Sequence, residues 1–205
     1  MKQIFEIKDI KIIDKMLQRA EYGTLALCQD NKPYAVPLNF VKVGDAIYFH
    51  GAQKGKKIKI LKENSYASFS VVENFSLIPS YFSTDDGLAC PATQFFKSII
   101  IDGRVEFVKE HTEKAEALEA LMQKLQSEGN YKPLSDDVYK KVLSITAVYK
   151  LIPQAIGAKF KFGQHVNAER FAKILHNLEM RATELDLETL KMMRELRVDG
   201  TATRT

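Results

Sequence analysis

Between residues 22 and 72 the chain strings together strand-length segments separated by short turns, and that spacing constrains its fold more than any other feature. Thr24 to Cys28 reads as a strand, and the turn cluster Gln29-Asp-Asn-Lys-Pro33 leads into a second, Tyr34 to Lys42. Val43-Gly-Asp45 turns the chain into a third strand that opens at Ala46, and Tyr66 to Val72 supplies a fourth. Strands joined this way favour an antiparallel meander or barrel over a doubly wound sheet. Pro37 lies inside the second strand, where its missing N–H implies an edge, a bulge or a ligand-facing irregularity.

One segment departs from the meander. In Ala46-Ile-Tyr-Phe-His-Gly-Ala-Gln-Lys-Gly-Lys-Lys-Ile-Lys-Ile-Leu-Lys62, Ile47 and Phe49 face one side and Tyr48 and His50 the other. The strand breaks at Gly51 and Gly55 and restarts as a short helix with Ile58 and Leu61 on one face. Lys54, Lys56 and Lys57 crowd the start of that helix, where the macrodipole is already positive and the first N–H groups lack partners. Cations there cost a few tenths of a kcal/mol each, up to about 1. The arrangement reads as a cradle for an anion such as a phosphate, against the plainer reading of a solvated lysine-rich face. Neither the Gly-x-x-x-x-Gly-Lys-Ser/Thr loop nor the Gly-x-Gly-x-x-Gly fingerprint is present.

Elsewhere, Ile10, Ile13, Met16 and Leu17 give a helix over 9–20 with Asp9 as its cap. Residues 73–96 read as an irregular functional or partner-contact loop. Phe96 to Lys109 reads as a long strand broken at Asp102-Gly103, one that bends around a barrel corner at the glycine, and Thr112 as the cap of a helix running to Leu125. Ser135 opens a short helix to Lys141, and Val142 to Ile152 is a last strand ended by Pro153. Two helices follow between Val166 and Arg197, with Phe171, Ile174, Leu175 and Leu178 on one and Leu187, Leu190, Met193 and Leu196 on the other.

No apolar run approaches a membrane span, and the N-terminus alternates charge with Ile, unlike a signal peptide. Cys28 and Cys90 form no disulfide framework or metal spacing, so a reduced, cytoplasmic, soluble protein is expected. A net charge of +4 is too small to argue for nucleic acid. None of His50, His111, His165 and His176 pairs at metal-ligand spacing, and no nucleophile elbow occurs, so difficult chemistry would fall to a cofactor. His50, ending a strand beside the cradle, is the candidate catalytic residue. Lys97 and Ser98 could reach the same anion if their strand neighbours it; otherwise they are a plain strand pair.

Several segments together resemble one family. Tyr22-Gly-Thr-Leu-Ala-Leu, Pro33-Tyr-Ala-Val-Pro-Leu-Asn-Phe40, Ile47-Tyr-Phe-His-Gly-Ala and Gly55-Lys-Lys-Ile stand in the order and spacing of FMN-binding split-barrel proteins, the pyridoxamine-phosphate-oxidase-like superfamily. The chain is similar to its nitroimidazole-reductase-type subgroup, and Phe96 to Glu106, Glu113 to Leu118 and Ser144-Ile-Thr continue the likeness over about residues 20–160. The resemblance implies a mainly β (α+β by content), six-stranded antiparallel split barrel with peripheral helices over 1–163. A helical extension follows over 164–205. It also implies a homodimer with FMN in each interface cleft. Gly55, Lys56 and Lys57 would bind the flavin phosphate, and Pro37, Leu38, Asn39 and Phe40 would run along the ring. His50, Gly51, Lys97 and Ser98 would lie near it.

The implied activity is an oxidoreductase passing electrons from NAD(P)H to a small nitro-aromatic or quinone-like acceptor. The Arg-Lys phosphate pair and the Trp- and Arg-containing C-terminus of true pyridoxamine phosphate oxidases are missing, which argues against vitamin B6 oxidation. Some members of the superfamily bind haem or a deazaflavin. A haem-binding or haem-degrading protein using His165 or His176 is therefore one rival, and a non-enzymatic flavin-binding regulator is another. The segment Phe160-Lys-Phe-Gly-Gln-His-Val166 is similar to C-terminal segments of some flavin-binding relatives, a transcriptional-regulator branch included.

Overall fold

The computed structural model describes residues 2–201, with side chains through 197. Its strands are β1 (Glu6–Ile7), β2 (Tyr22–Gln29), β3 (Lys32–Asn39), β4 (Val41–Val43), β5 (Ala46–Gly51), β6 (Tyr66–Ile78), β7 (Thr93–Phe107) and β8 (Ala147–Lys161). Its α-helices are α1 (Ile10–Arg19), α2 (Lys56–Glu63), α3 (His111–Leu125), α4 (Lys140–Ile145), α5 (Ala168–Arg181) and α6 (Glu184–Thr201). The strands follow the order β3-β2-β6-β7-β8-β5-β4, with β1 pairing β8 off that path. The two extra strands beyond the expected six are β1 and β4, of two and three residues. The chain divides into two compact units, each discontinuous in sequence.

One unit comprises Asp9–Val71 and Ile99–Gly157. Asp9 caps α1 by accepting from the Lys11 N–H at 2.8 Å, and Ile13, Met16 and Leu17 turn inward. Asp30 and Asn31 both take positive φ, 50° and 59°, which gives the two-residue turn that matches the twist of the β2–β3 hairpin. β3 is the end strand of the order, which is why it tolerates Pro33 and Pro37. β3 and β5 stand far apart in the strand order yet come into contact, so the sheet curls back on itself within this unit. Tyr48 Oη and Lys150 Nζ both donate to Glu113 Oε1 at 2.9 Å, fastening α3 to β5 and β8. Lys124 of α3 donates to the carbonyls of Leu17 and Phe40, each at 2.9 Å, and burial lowers its pKa to about 8.

The other unit comprises Met1–Lys8, Val72–Ser98 and Ala158–Thr205. Phe75, Phe95, Phe160 and Phe162 form its core, with Phe75 edge-on to Phe162 at 4.8 Å. Buried residues Ile174 and Leu178 of α5 and Leu190 and Met193 of α6 complete it. Ala182, with φ 47°, ends α5 in the left-handed region. Asp186, fully buried, then accepts from Arg181 Nη2 at 2.6 Å and Nε at 2.8 Å, from Ser76 Oγ at 2.6 Å and from the Thr183 N–H at 3.1 Å. Arg181 also donates to the Leu77 carbonyl, and Thr189 Oγ1 accepts from the Ser76 N–H. The tail helices are thus clasped to the end of β6.

Several sequence expectations need correction. β6 runs on through Ile78 and β7 begins at Thr93, so the irregular stretch shrinks to residues 79–92. β7 is unbroken at Gly103: a Cβ there would lie inside the van der Waals radius of the Ile152 carbonyl oxygen, so the glycine admits a neighbouring strand instead of ending one. Glu110, not Thr112, precedes α3, and no side chain caps it. The short helix begins at Lys140 after a 3-10 turn over Asp137–Tyr139, and β8 starts at Ala147 and passes through Pro153. Among the described residues no helix is long and apolar enough to cross a membrane.

Candidate anion and cofactor site

The basic segment folds as a strand, a glycine loop and a helix. Gly55 stands before α2 with φ 126° and ψ 178°, a conformation in which an L side chain would be strained, and it provides no side-chain cap. The first turn of α2 contains no acidic residue. The N–H groups at this end therefore have neither the oxygen nor the negative charge that helix starts ordinarily recruit.

Lys57 does not extend into solvent. Its half-buried side chain folds back over β5, with Nζ 5.4 Å from the Phe49 ring centroid and 5.1 Å from that of Tyr149. Those rings, opposite one another in the β5–β8 register, stack 5.4 Å apart at 22°. Gly51 is what admits the ammonium: a Cβ at that position would sit 3.0 Å from Lys57 Nζ. Burial pushes the Lys57 pKa down, and no carboxylate among the described residues offsets it. His50, first by burial and then through the nearby Lys57 charge, is held below the ordinary imidazole value while keeping an exposed edge. At neutral pH it is therefore an uncharged donor and acceptor.

The surrounding loop is pinned. Tyr149 Oη donates to the Ala52 carbonyl at 3.0 Å and Gln53 Nε2 to the Ser144 carbonyl at 2.9 Å. Burial pushes the Tyr149 hydroxyl up to about 12, so it remains a donor. Lys56, exposed, lies 4.5 Å over the Tyr34 ring of β3. The structure thus brings His50, Gly51 and Lys57 together and ties Lys56 to β3.

The other expected residues stand as follows. Pro37, Leu38 and Asn39 pair with Thr24, Gly23 and Tyr22 of β2, and Asn39 Nδ2 donates to the Glu21 carbonyl at 3.0 Å. Phe40 is fully buried, edge-on to Phe69 at 5.0 Å, with Lys124 Nζ 3.8 Å above its ring. Lys97 and Ser98 belong to the other unit. There Lys97 is buried, 3.4 Å from Glu73 and within 4.7 Å of the Phe75 ring and 5.3 Å of the Phe160 ring. His165 packs edge-on to Phe5 at 5.3 Å, and His176 is exposed. Among the described residues no His, Cys, Asp and Glu group could hold a metal ion.

Sequence reasoning passed over Phe49, Tyr149 and Gln53. The β5–β8 register reveals the part of Phe49 and Tyr149 and the bond to the Ser144 carbonyl that of Gln53, and nothing local signals that a tyrosine so distant in sequence will receive the lysine.

The family model described as pyridoxamine 5'-phosphate oxidase matches residues 9–160. No curated protein matches the chain. Among solved structures, a flavocytochrome from Azotobacter vinelandii is 22% identical with a TM-score of 0.68, over 84% of this chain and 78% of that one. An FAD and haem binding protein from Mycobacterium smegmatis is 21% identical with a TM-score of 0.66, over 82% and 78%. A candidate 5-nitroimidazole antibiotic resistance protein from Bacteroides thetaiotaomicron is 21% identical with a TM-score of 0.62, over 75% and 85%. These likenesses show the fold: an antiparallel split-barrel sheet with peripheral helices.

Proposed function

The chain belongs to the pyridoxamine 5'-phosphate oxidase family, and from that premise we propose that it binds FMN and works as an oxidoreductase. The observation that carries the reading is Lys57, a half-buried cation without a counterion among the described residues, beside the uncapped start of α2. A flavin phosphate supplies both the charge and the acceptor oxygens that this corner lacks. Lys57 offers a half-buried donor, Lys56 an exposed one beside Tyr34, and the α2 amides complete the cradle. The exposed edge of β3 at Pro37, Leu38 and Asn39 supports the ring, and buried Phe40 anchors the end of that strand through its packing with Phe69. Neutral His50 directs a single hydrogen bond towards ring or substrate. When bound, FMN supplies the two-electron chemistry, with NAD(P)H as donor and a small nitro-aromatic or quinone-like molecule as acceptor.

The working unit we propose is a cytoplasmic homodimer that encloses the cofactor at its interface and binds neither membrane nor nucleic acid. Support for the dimer comes from Tyr66, Ile100, Ile152 and Ile156, large apolar side chains that β6, β7 and β8 leave 38–51% exposed within one unit. The test is direct. Purified protein should carry or take up one FMN per chain, seen as a flavin absorption band, and a Lys56→Gln/Lys57→Gln variant should lose it. A protein that stays colourless with excess FMN, or a double variant that retains flavin as tightly as before, overturns the assignment. Light scattering should report a dimer.

A further inference from the structure

The unit that contains α5 holds a second concave site, made of different residues. A cavity of about 240 Å³ opens between the 83–93 segment and the start of α5. Its apolar wall is Phe95, Val166 and Ile174; its polar side is Thr93, His165 and Arg170. The Arg170 Nε is buried and has no hydrogen-bond partner among the described residues. Buried guanidinium nitrogens almost always have one, so this donor is committed to nothing the described residues provide.

The charge around it is mostly positive. Beyond burial, His165 feels Lys161, Lys2 and Arg170, and all three lower its pKa. Lys161 Nζ is engaged with Thr93 Oγ1. Opposing charges are Asp85, paired with Lys173, and Asp86, whose carboxyl is held below its ordinary value first by the Leu88 N–H, then by Thr84 and least by Arg170. Asp86 Oδ1 accepts from Thr84 Oγ1 at 2.9 Å and from the Leu88 N–H at 3.0 Å. Among the described residues neither of its oxygens bonds Arg170 Nε.

We propose that this cavity is a binding site for a small monocarboxylate with a compact apolar body, of about the size of benzoate. The planar fork of Arg170 matches a carboxylate in two parallel hydrogen bonds, a geometry a lysine could not provide. Phe95 and Ile174, each 1% exposed, form the floor of the cavity, and Pro91, Ala92 and Val166 on its sides meet the apolar part. Size sets the class. A cavity of about 240 Å³ falls below the range of drug-sized pockets and suits a ligand smaller than a nucleotide or a flavin. Inorganic phosphate would satisfy the arginine but leave the apolar wall without a partner.

The proposal stands apart from the flavin reading, and its test does not use flavin. The full chain is titrated with sodium benzoate, benzamide and inorganic phosphate, and binding is followed by calorimetry and by amide chemical shifts at residues 83–95 and 165–174. Benzoate should saturate with a dissociation constant of order 0.1–1 mM, and neutral benzamide should bind at least about tenfold more weakly. Arg170→Gln should weaken benzoate by about tenfold or more, and Arg170→Lys by less, because it keeps the charge and loses the fork. Ala92→Phe, which fills the cavity and leaves every charge in place, should abolish binding. If Arg170→Gln fails to fold, the benzoate–benzamide ratio and Ala92→Phe decide. Equal affinity for benzoate and benzamide, phosphate binding as tightly as benzoate, no shifts at saturating benzoate, or unchanged binding in Ala92→Phe would each overturn the site.

Discussion

Asp186 and Lys57 are both removed from water to a degree unusual for charged side chains, and they are treated in opposite ways. Asp186 is wholly buried, and each of its oxygens has a protein partner from Arg181, Ser76 or Thr183. Lys57 is half-buried with two aromatic faces for company and, among the described residues, no carboxylate. A charge answered by its own chain holds structure together; a charge left unanswered waits for something from outside. Lys124, answered by two backbone carbonyls, and Lys97, answered by Glu73, fall on the structural side of that division.

The largest effect expected is from breaking the answered charge. Asp186→Ala should lower stability by about 3 kcal/mol, the low end for a broken buried pair because Arg181 keeps 32% of its side chain exposed. Urea unfolding, together with proteolysis of the 182–201 segment, would measure it; a loss within about 0.5 kcal/mol would mean the clasp is incidental.

The same carboxyl sets a pH dependence. Arg181 first, then the Ser76 and Thr183 bonds, hold it well below the ordinary carboxylate range. A depressed folded pKa stabilises fully above the unfolded value, about 3.9, and that contribution drains away as pH falls below it. Unfolding curves from pH 6 down to pH 3 should therefore steepen in their acid dependence for the natural chain and flatten for Asp186→Asn.

Lys57→Gln should behave in the reverse sense. Burial already disfavours its charged form, so removing the charge should leave stability unchanged or slightly higher. Flavin affinity should fall about tenfold to a hundredfold, the worth of a charge-assisted hydrogen bond. A variant that loses stability and keeps flavin would erase the contrast with Asp186. Smallest of all, Lys56→Gln should cost flavin affinity only about twofold to threefold, and the loss should shrink with added salt, as for other exposed charges. Fluorescence titration at two ionic strengths would read it.

How much of this could be read in the sequence depends on distance along the chain. The strand, glycine loop and helix around Lys57 were legible because Gly51, Gly55, Lys56 and Lys57 are neighbours, at one strand end and one helix start. The antiparallel order was legible because its turns are local, Asp30-Asn31 above all. Tyr149 was not legible, since only the β5–β8 pairing sets it opposite Phe49. The long strand through Gly103 was legible, but the break read there was not real: β7 runs on, and the glycine is needed because the Ile152 carbonyl comes so close. Pro153 misled for a related reason: β8 passes through it, although a proline inside a strand is ordinarily read as its end. The Asp186 clasp left no trace either, because its partners Ser76 and Arg181 are gathered from separate elements.

Gly51 has a consequence for anyone who would retune this protein. The missing carbon at that position sets where the Lys57 ammonium rests, so residue 51 acts as a dial on electrostatics and not on shape. Alanine or serine there would nudge the cation outward by fractions of an ångström while α2 and β5 kept their course. A small panel of substitutions at one backbone position could then grade anion affinity stepwise without touching a single charged residue.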